Sequence, residues 1–163
     1  MQNAMPSTIP TFPLTRRRLL ASLALAPLAA RAAAPTAASV HVWKTPTCGC
    51  CTDWITHLRD NGFQVEVQDV PDTSAVRERL GIPMEYGSCH TAQVDGYALE
   101  GHVPSREIRR LLAERPAAVG LAVPGMPLGS PGMDGPEYEG RKHPYDVLLV
   151  RRWGLTRVYQ AYP

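Results

Sequence analysis

The chain has four cysteines, and three of them, Cys48, Cys50 and Cys51, lie within one stretch of four residues. The fourth, Cys89, lies far along the chain in a second polar turn. Thiolate sulfurs are the ligands that a soft cation such as copper(I) prefers. Zinc fits less well, because its structural sites usually take their ligands from two separated pairs. The sequence therefore predicts that folding joins the two turns into a metal site best suited to copper(I).

The pair Cys48 and Cys51 also supports a redox interpretation. A helix start lowers the pKa of a nearby thiol and populates the thiolate, the species that attacks disulfides. In this alternative the protein is a thiol–disulfide oxidoreductase, with Cys48 as the nucleophile and Cys51 as the resolving thiol. Cys50 argues against the oxidoreductase alternative, because a thiol–disulfide exchanger needs only two sulfurs. The Cys48–Cys51 pair could also form a purely structural disulfide. The residues leave open whether the protein is an enzyme, either a copper or a thiol–disulfide oxidoreductase.

Three further side chains are candidate copper ligands. His90 directly follows Cys89 and could ligate copper or orient a sulfur. Met126 and Met133 offer thioethers, which are neutral soft ligands suited to copper(I), although methionine more often packs a loop onto the core. The remaining histidines have no partnering pattern and are expected to be solvated or to have structural partners: His41, His57, His102 and His143.

Apolar periodicity and turn residues define the elements that must position these side chains. The predicted elements are a strand at 40–44, a helix at 51–61, a strand at 63–70, a helix at 73–80, strands at 91–94 and 97–99, and a helix at 105–115. This β–α–β–α–β–β–α order is typical of a thioredoxin-like, three-layer α/β fold. In such a fold the Cys-x-x-Cys turn joins the first strand to the first helix. The turn that carries Cys89 lies beside it.

The C-terminal part has a different composition. Residues 120–136 contain five glycines and four prolines, and we expect a loop with little regular structure over 120–144 that carries both candidate methionines. Residues 145–151 and 156–162 then alternate in hydrophobicity around Gly154 and predict a closing β-hairpin. The fold prediction is a thioredoxin-like domain with a C-terminal Gly/Pro/Met loop and a β-hairpin extension.

The N-terminal segment has the features of an export signal. Arg16 and Arg17 precede an apolar stretch at 19–30, and small residues follow it. The stretch is shorter than the roughly 20 residues that a membrane-spanning helix needs. The arginine pair resembles a twin-arginine signal, and a general secretory signal or an N-terminal anchor is the alternative.

Removal of such a signal changes the net charge of the protein. Residues 1–34 hold four arginines and no acidic residue, so the formal charge of +2 falls to −2, with 13 Lys+Arg against 15 Asp+Glu. We expect cleavage after Ala32 or Ala34, and we expect residues 35–163 to form a periplasmic metal-binding domain that does not span the membrane. A net negative domain has no general attraction to phosphate backbones, so nucleic acid is not expected as a partner.

Four stretches resemble motifs of the CopG-like family: 44–51, 88–92, 101–104 and 120–133. These are bacterial periplasmic metal-binding proteins, long described as a domain of unknown function and associated with copper resistance. The resemblance runs from about residue 40 to the C-terminal end. It implies a thioredoxin-like fold and a copper site on the cysteine motifs, which here fall on Cys48, Cys50, Cys51 and Cys89, with the methionine loop as cover.

These observations predict a periplasmic copper-binding protein that sequesters, transfers or redox-cycles copper(I) through a cysteine-rich site. Four thiolates can bridge more than one ion, so a multi-copper cluster is included in the prediction. The expected partners are copper ions and other periplasmic copper-handling proteins. The main alternative is a periplasmic thiol–disulfide oxidoreductase that uses Cys48 and Cys51, and a zinc-stabilised module is the third hypothesis.

Overall fold

The computed structural model describes residues 37–163, so the expected export signal at 1–34 lies outside the described residues. The strands of the described part are β1 (Ser39–Lys44), β2 (Gln64–Asp69), β3 (His90–Val94), β4 (Tyr97–Gly101), β5 (Gly120–Val123), β6 (Tyr145–Val150) and β7 (Thr156–Tyr162). Its α-helices are α1 (Gly49–Asp60), α2 (Ser74–Leu80) and α3 (Ser105–Glu114). None of these helices is long and apolar enough to cross a membrane.

All seven strands belong to one sheet, in the order β2-β1-β3-β4-β5-β6-β7. β1 and β2 are parallel, whereas β3 runs antiparallel to both β1 and β4. β4 and β5 are parallel, and β5, β6 and β7 form antiparallel pairs. The predicted mixed α/β class, the order of elements as far as α3 and the C-terminal hairpin are confirmed.

β5 corrects the loop predicted over residues 120–144. Gly120–Val123 form a fully buried strand between β4 and β6. A Cβ at Gly120 would overlap the carbonyl of Ala98, so only glycine lets the two backbones meet there. A four-residue run led by glycine is too short to show strand periodicity, and its neighbours decide its conformation. The loop therefore begins after β5, and β5 joins the C-terminal hairpin to the rest of the sheet.

Helix α1 is held in place by its apolar face. Cys51, Trp54, Ile55 and Leu58 are buried, as their spacing predicts. The Trp54 indole N–H donates to the carbonyl of Val103 at 2.9 Å, so its one polar group is satisfied inside the core. Full burial of each large apolar side chain stabilises the fold by about 1.5–3 kcal/mol. This packing fixes the first turn of α1, which carries the cysteines.

Candidate metal centre

The first turn of α1 brings three cysteines to the end of β1. Cys48 is the N-cap residue, and its Sγ accepts a hydrogen bond from the backbone N–H of Cys51 at 3.3 Å. The helix begins at Gly49, two residues before its predicted start at Cys51. Cys48 and Cys51, whose Cα atoms are 5.4 Å apart, are joined by a disulfide, and Cys50 is a free thiol. These sulfurs lie at the end of the helix that favours negative charge.

Cys89 reaches the same place because β3 pairs with β1 up to the last residue of β1. Just beyond that pair, the Thr45 N–H donates to the carbonyl of Cys89 at 3.3 Å. The Cys89 Sγ lies 2.9 Å from the Cys48 Sγ and 3.2 Å from the Cys51 Sγ. The Cys50 Sγ is 3.7 Å from the Cys48 Sγ, and all four sulfur atoms lie within 4.8 Å of one another. We call this group the four-sulfur cluster.

The thiol of Cys89 is protonated at neutral pH. Burial raises its pKa to about 11, and the neighbouring Cys50 raises it as well. A protonated thiol is a weak nucleophile, because the thiolate is the form that attacks disulfides. The proton also has to leave before this sulfur can bind a metal ion, so metal binding here releases protons.

Met126 adds a fifth sulfur to the group. It follows β5 in a turn in which Gly125 and Met126 are both left-handed, with φ of 77° and 46°. In this position its Sδ accepts the Cys89 S–H at 3.4 Å. The loop is seated on α1 at Gly132, where a Cβ would lie 2.7 Å from the backbone nitrogen of Trp54. A side chain at residue 132 would therefore lift the methionine loop off the helix.

Two other candidate ligands have different partners. The His90 ring is fully buried against Trp54, with ring centroids 4.5 Å apart, and its Nε2–H donates to the carbonyl of Gly101 at 3.0 Å. Among the described His, Cys, Asp and Glu residues, the group close enough to share one ion consists of the four cysteines without His90. The Sδ of Met133 accepts the hydroxyl of Tyr138 at 3.4 Å.

His102 is one of the histidines predicted to be solvated or to have structural partners. It is fully buried, and within residues 37–163 neither of its ring nitrogens has a hydrogen-bond partner. Its ring centroid lies 5.3 Å from that of His90. Burial lowers the pKa of His102 to about 4 and that of His90 to about 3, so both rings are neutral at pH 7. In the sequence, the one feature that distinguishes His102 from the other histidines of its group is its position in the stretch 101–104, which resembles a motif of the CopG-like family.

The stability of the protein is expected to fall as the pH is lowered from about 6.5 towards about 4. Histidines of the unfolded chain protonate near pH 6.5, whereas folded His102 stays neutral down to about 4. The unfolded state therefore binds more protons in this window and is increasingly favoured. Each such histidine costs up to about 1.4 kcal/mol per pH unit. Urea unfolding near pH 7 and near pH 5 measures the difference in the free energy of unfolding. The control is His143→Gln, at an exposed position, which should leave this difference unchanged. Equal stability at the two pH values would contradict this prediction.

A buried ion pair fixes the turn that carries Cys89. Arg77 and Glu100 are 5% and 0% exposed, and their Nε and Oε1 atoms are 3.1 Å apart. Glu100 also accepts the backbone N–H and the hydroxyl of Ser88, at 2.6 and 2.7 Å, and the hydroxyl of Thr91 at 2.7 Å. The Arg77 guanidinium donates to the Ser88 carbonyl at 2.6 Å. Residues on both sides of Cys89 are therefore fixed to one buried carboxylate.

No pattern in the sequence predicts this ion pair. Arg77 lies in a charged stretch of α2, and Glu100 directly follows the strand predicted at 97–99. Charged residues at both types of position are usually solvent-exposed. Burial raises the pKa of Glu100, while the hydroxyls of Thr91 and Ser88 and the charge of Arg77 act to lower it. The pairing depends on the approach of α2 to β4, which local sequence patterns do not specify.

Comparisons with known proteins identify two similar solved structures. Copper resistance protein CopG, form 2, is 46% identical, with a TM-score of 0.72, over 78% of this chain and 99% of that chain. Form 1 of the same protein is 47% identical, with a TM-score of 0.70, over 77% of this chain and 97% of that chain. A family model described as "Protein of unknown function, DUF411" matches residues 86–133, which include Cys89 and both loop methionines. No curated protein matches the chain.

Proposed function

The chain belongs to the CopG-like family of copper resistance proteins, and from this we propose that it handles copper(I) through the four-sulfur cluster. The protein sequesters, transfers or redox-cycles copper, which is its cargo or substrate. The export-signal features of residues 1–34 support a periplasmic location for this activity. A parallel β1–β2 pair next to the antiparallel β3–β4 hairpin supports a thioredoxin-like assignment for this part of the sheet.

The observation that carries the proposal is the spacing of the four sulfur atoms, which all lie within 4.8 Å of one another. Four thiolates around one ion with metal–sulfur bonds of about 2.3 Å are separated by about 3.8 Å. With the Cys48–Cys51 disulfide reduced, small side-chain movements would bring the four sulfurs to this separation around a shared ion, or around ions bridged by the same sulfurs. Met126, whose Sδ is 3.4 Å from the Cys89 Sγ, adds a neutral soft donor at the edge of this set.

Copper binding in this proposal depends on the redox state of Cys48 and Cys51. Their disulfide leaves Cys50 and Cys89 as the free thiols. Reduction by two electrons and two protons restores two thiols, which lose their protons when they bind copper(I). In the reverse direction, two copper(II) ions can each accept one electron as the two thiols form the disulfide and release two protons. The same four cysteines can thus store copper(I) or reduce copper(II).

The alternative function, thiol–disulfide exchange, has one observation in its favour: Cys48 and Cys51 form a disulfide at a helix start. The position of Cys89 favours the metal proposal instead. Exchange by Cys48 and Cys51 needs no third sulfur. The Cys89 Sγ nevertheless lies 2.9 and 3.2 Å from their two sulfurs, as a shared metal site requires.

An anaerobic copper(I) titration against a competing chelator tests the proposed function. The fully reduced protein is expected to bind one or more copper ions per chain, at least about 100-fold more tightly than the protein with the Cys48–Cys51 disulfide intact. The reason is that oxidation removes two of the four thiolates. Total metal analysis at the end point gives the stoichiometry.

Two results would contradict the copper proposal. One is equal and weak copper(I) binding by the reduced and the disulfide-bonded protein. The other is tight binding of zinc with unfolding on chelation, which would favour a zinc-stabilised module. Weak copper binding together with fast reduction of a test disulfide by the reduced protein would favour the oxidoreductase.

A further inference from the structure

The turn that joins β6 to β7 exposes apolar side chains to solvent. All eight residues at positions 151–158 are exposed, and we call this segment the β6–β7 tip. Trp153 is 93% exposed, Leu155 64% and Val158 50%. Met84, which is 58% exposed, lies beside the tip, since a Cβ at Gly154 would lie 3.5 Å from the Cγ of the neighbouring Pro83. These residues include most of the large exposed apolar side chains among the described residues.

The tip is a defined turn. The Arg151 N–H donates to the carbonyl of Leu155 at 2.7 Å, which closes the turn around Trp153. Trp153 has a φ of 66°, in the left-handed region that a bulky side chain adopts at an energetic cost. The Thr156 hydroxyl lies 3.3 Å from the Tyr86 hydroxyl, which braces the tip from the side. Neither the exposure of the ring nor its backbone conformation stabilises the isolated domain, which suggests a role outside it.

The arginines of the tip form no close ion pair among the described residues. Arg151, Arg152 and Arg157 are exposed, and among the described residues none of the three has a carboxylate oxygen within 4.0 Å. Residues 35–163 nevertheless carry a net charge of −2, from 13 Lys+Arg and 15 Asp+Glu. The tip is therefore a local positive patch, with a tryptophan at its centre, on a net negative domain.

We propose that the β6–β7 tip docks the protein on an anionic phospholipid surface. Trp153 and Leu155 enter the headgroup region, and the three arginines pair with lipid phosphates. Tryptophan is enriched at membrane–water interfaces, and basic residues are attracted to anionic leaflets. A protein partner would need about 800 Å² and some 20 residues on each side for a stable interface. The exposed apolar residues here are concentrated in one narrow turn, which suits insertion between lipid headgroups better.

The docking is weak and reversible. One indole ring and one leucine bury little apolar area, and each arginine near an anionic surface strengthens binding by about a factor of five. The net negative charge of the rest of the domain opposes any other orientation on the same surface. Docking through the tip therefore fixes which side of the protein faces the lipid. This inference does not depend on the copper proposal.

Fluorescence quenching by brominated lipid tests the insertion of Trp153 in the full chain. Vesicles of brominated phosphatidylglycerol and phosphatidylcholine should quench part of the tryptophan emission, and Trp153→Phe should abolish this part. Trp54 is fully buried and serves as an internal reference. The readout is the quenching that is lost in the Trp153→Phe protein. Quenching of the half-buried Trp43 through another segment of the chain remains in that variant and does not count as insertion of the tip. Absence of quenching, or equal quenching in the Trp153→Phe protein, would overturn the proposal.

A charge-matched pair of variants tests the electrostatic part. Arg151→Gln with Arg152→Gln should weaken the Trp153-dependent binding to phosphatidylglycerol vesicles by about 30-fold. Arg141→Gln with Lys142→Gln removes the same charge from exposed residues between β5 and β6. This pair should change the Trp153-dependent vesicle binding less than about 3-fold. Equal effects of the two pairs, or undiminished binding to pure phosphatidylcholine, would overturn the proposal. Binding of the tip to an acidic protein, without binding to vesicles, would also overturn the proposal.

Discussion

Cys89→Ser is expected to lower the copper(I) affinity of the reduced protein by more than about 100-fold, beyond the 10–100-fold that loss of an outer-shell partner costs. The Cys89 Sγ lies within 3.4 Å of three other sulfur atoms, those of Cys48, Cys51 and Met126. A serine oxygen is a hard donor that copper(I) binds poorly. Anaerobic titration against a chelator measures the change.

Cys50→Ser provides the matched comparison, since it makes the same chemical change in the same site. The Cys50 Sγ has a longer contact, 3.7 Å from the Cys48 Sγ, so the loss of affinity should be smaller. Both cysteines are only partly buried, and both variants should keep the fold of the parent protein. Undiminished copper affinity in the Cys89→Ser protein would remove Cys89 from the proposed site. The far-ultraviolet circular dichroism spectrum identifies any variant that fails to fold.

Glu100→Gln is expected to destabilise the protein by about 3–5 kcal/mol, the usual result of removing one partner from a buried ion pair. The change leaves the Arg77 guanidinium, 5% exposed, without its counter-charge. It also places an amide among the N–H and O–H donors of Ser88 and Thr91 that now point to carboxylate oxygens. Urea unfolding at constant m-value measures the loss.

The matched control for this prediction is Glu114→Gln. Glu114 pairs with Arg110 at 2.7 Å, but both side chains are more than 40% exposed, at 44% and 42%. Exposed pairs contribute about 0–1 kcal/mol, so this variant should lie close to the parent protein. If both variants lost the same stability, the buried ion pair would not be what holds the Cys89 turn.

The sequence determined the elements whose cause is local. The helical spacing of Cys51, Trp54, Ile55 and Leu58 predicted the buried face of α1, because one turn of helix decides which side chains share a face. The hairpin between β3 and β4 followed from Asp95-Gly96, since both residues have positive φ, 45° and 86°, as a two-residue turn requires. The cysteines themselves are also visible in the sequence, and their thiolates are the donors that a soft metal prefers.

The tertiary structure decided everything that depends on partners far apart in sequence. β5 is a strand because β4 and β6 flank it, and Cys89 joins the other cysteines because β3 pairs with β1 to its end. His90 follows Cys89, but successive side chains of a strand point to opposite sides, so His90 faces the core. The ion pair of Arg77 with Glu100 arises only when α2 and β4 meet. Periodicity records which face of an element is buried, whereas the identity of the residue across from it is set by strand order and helix packing.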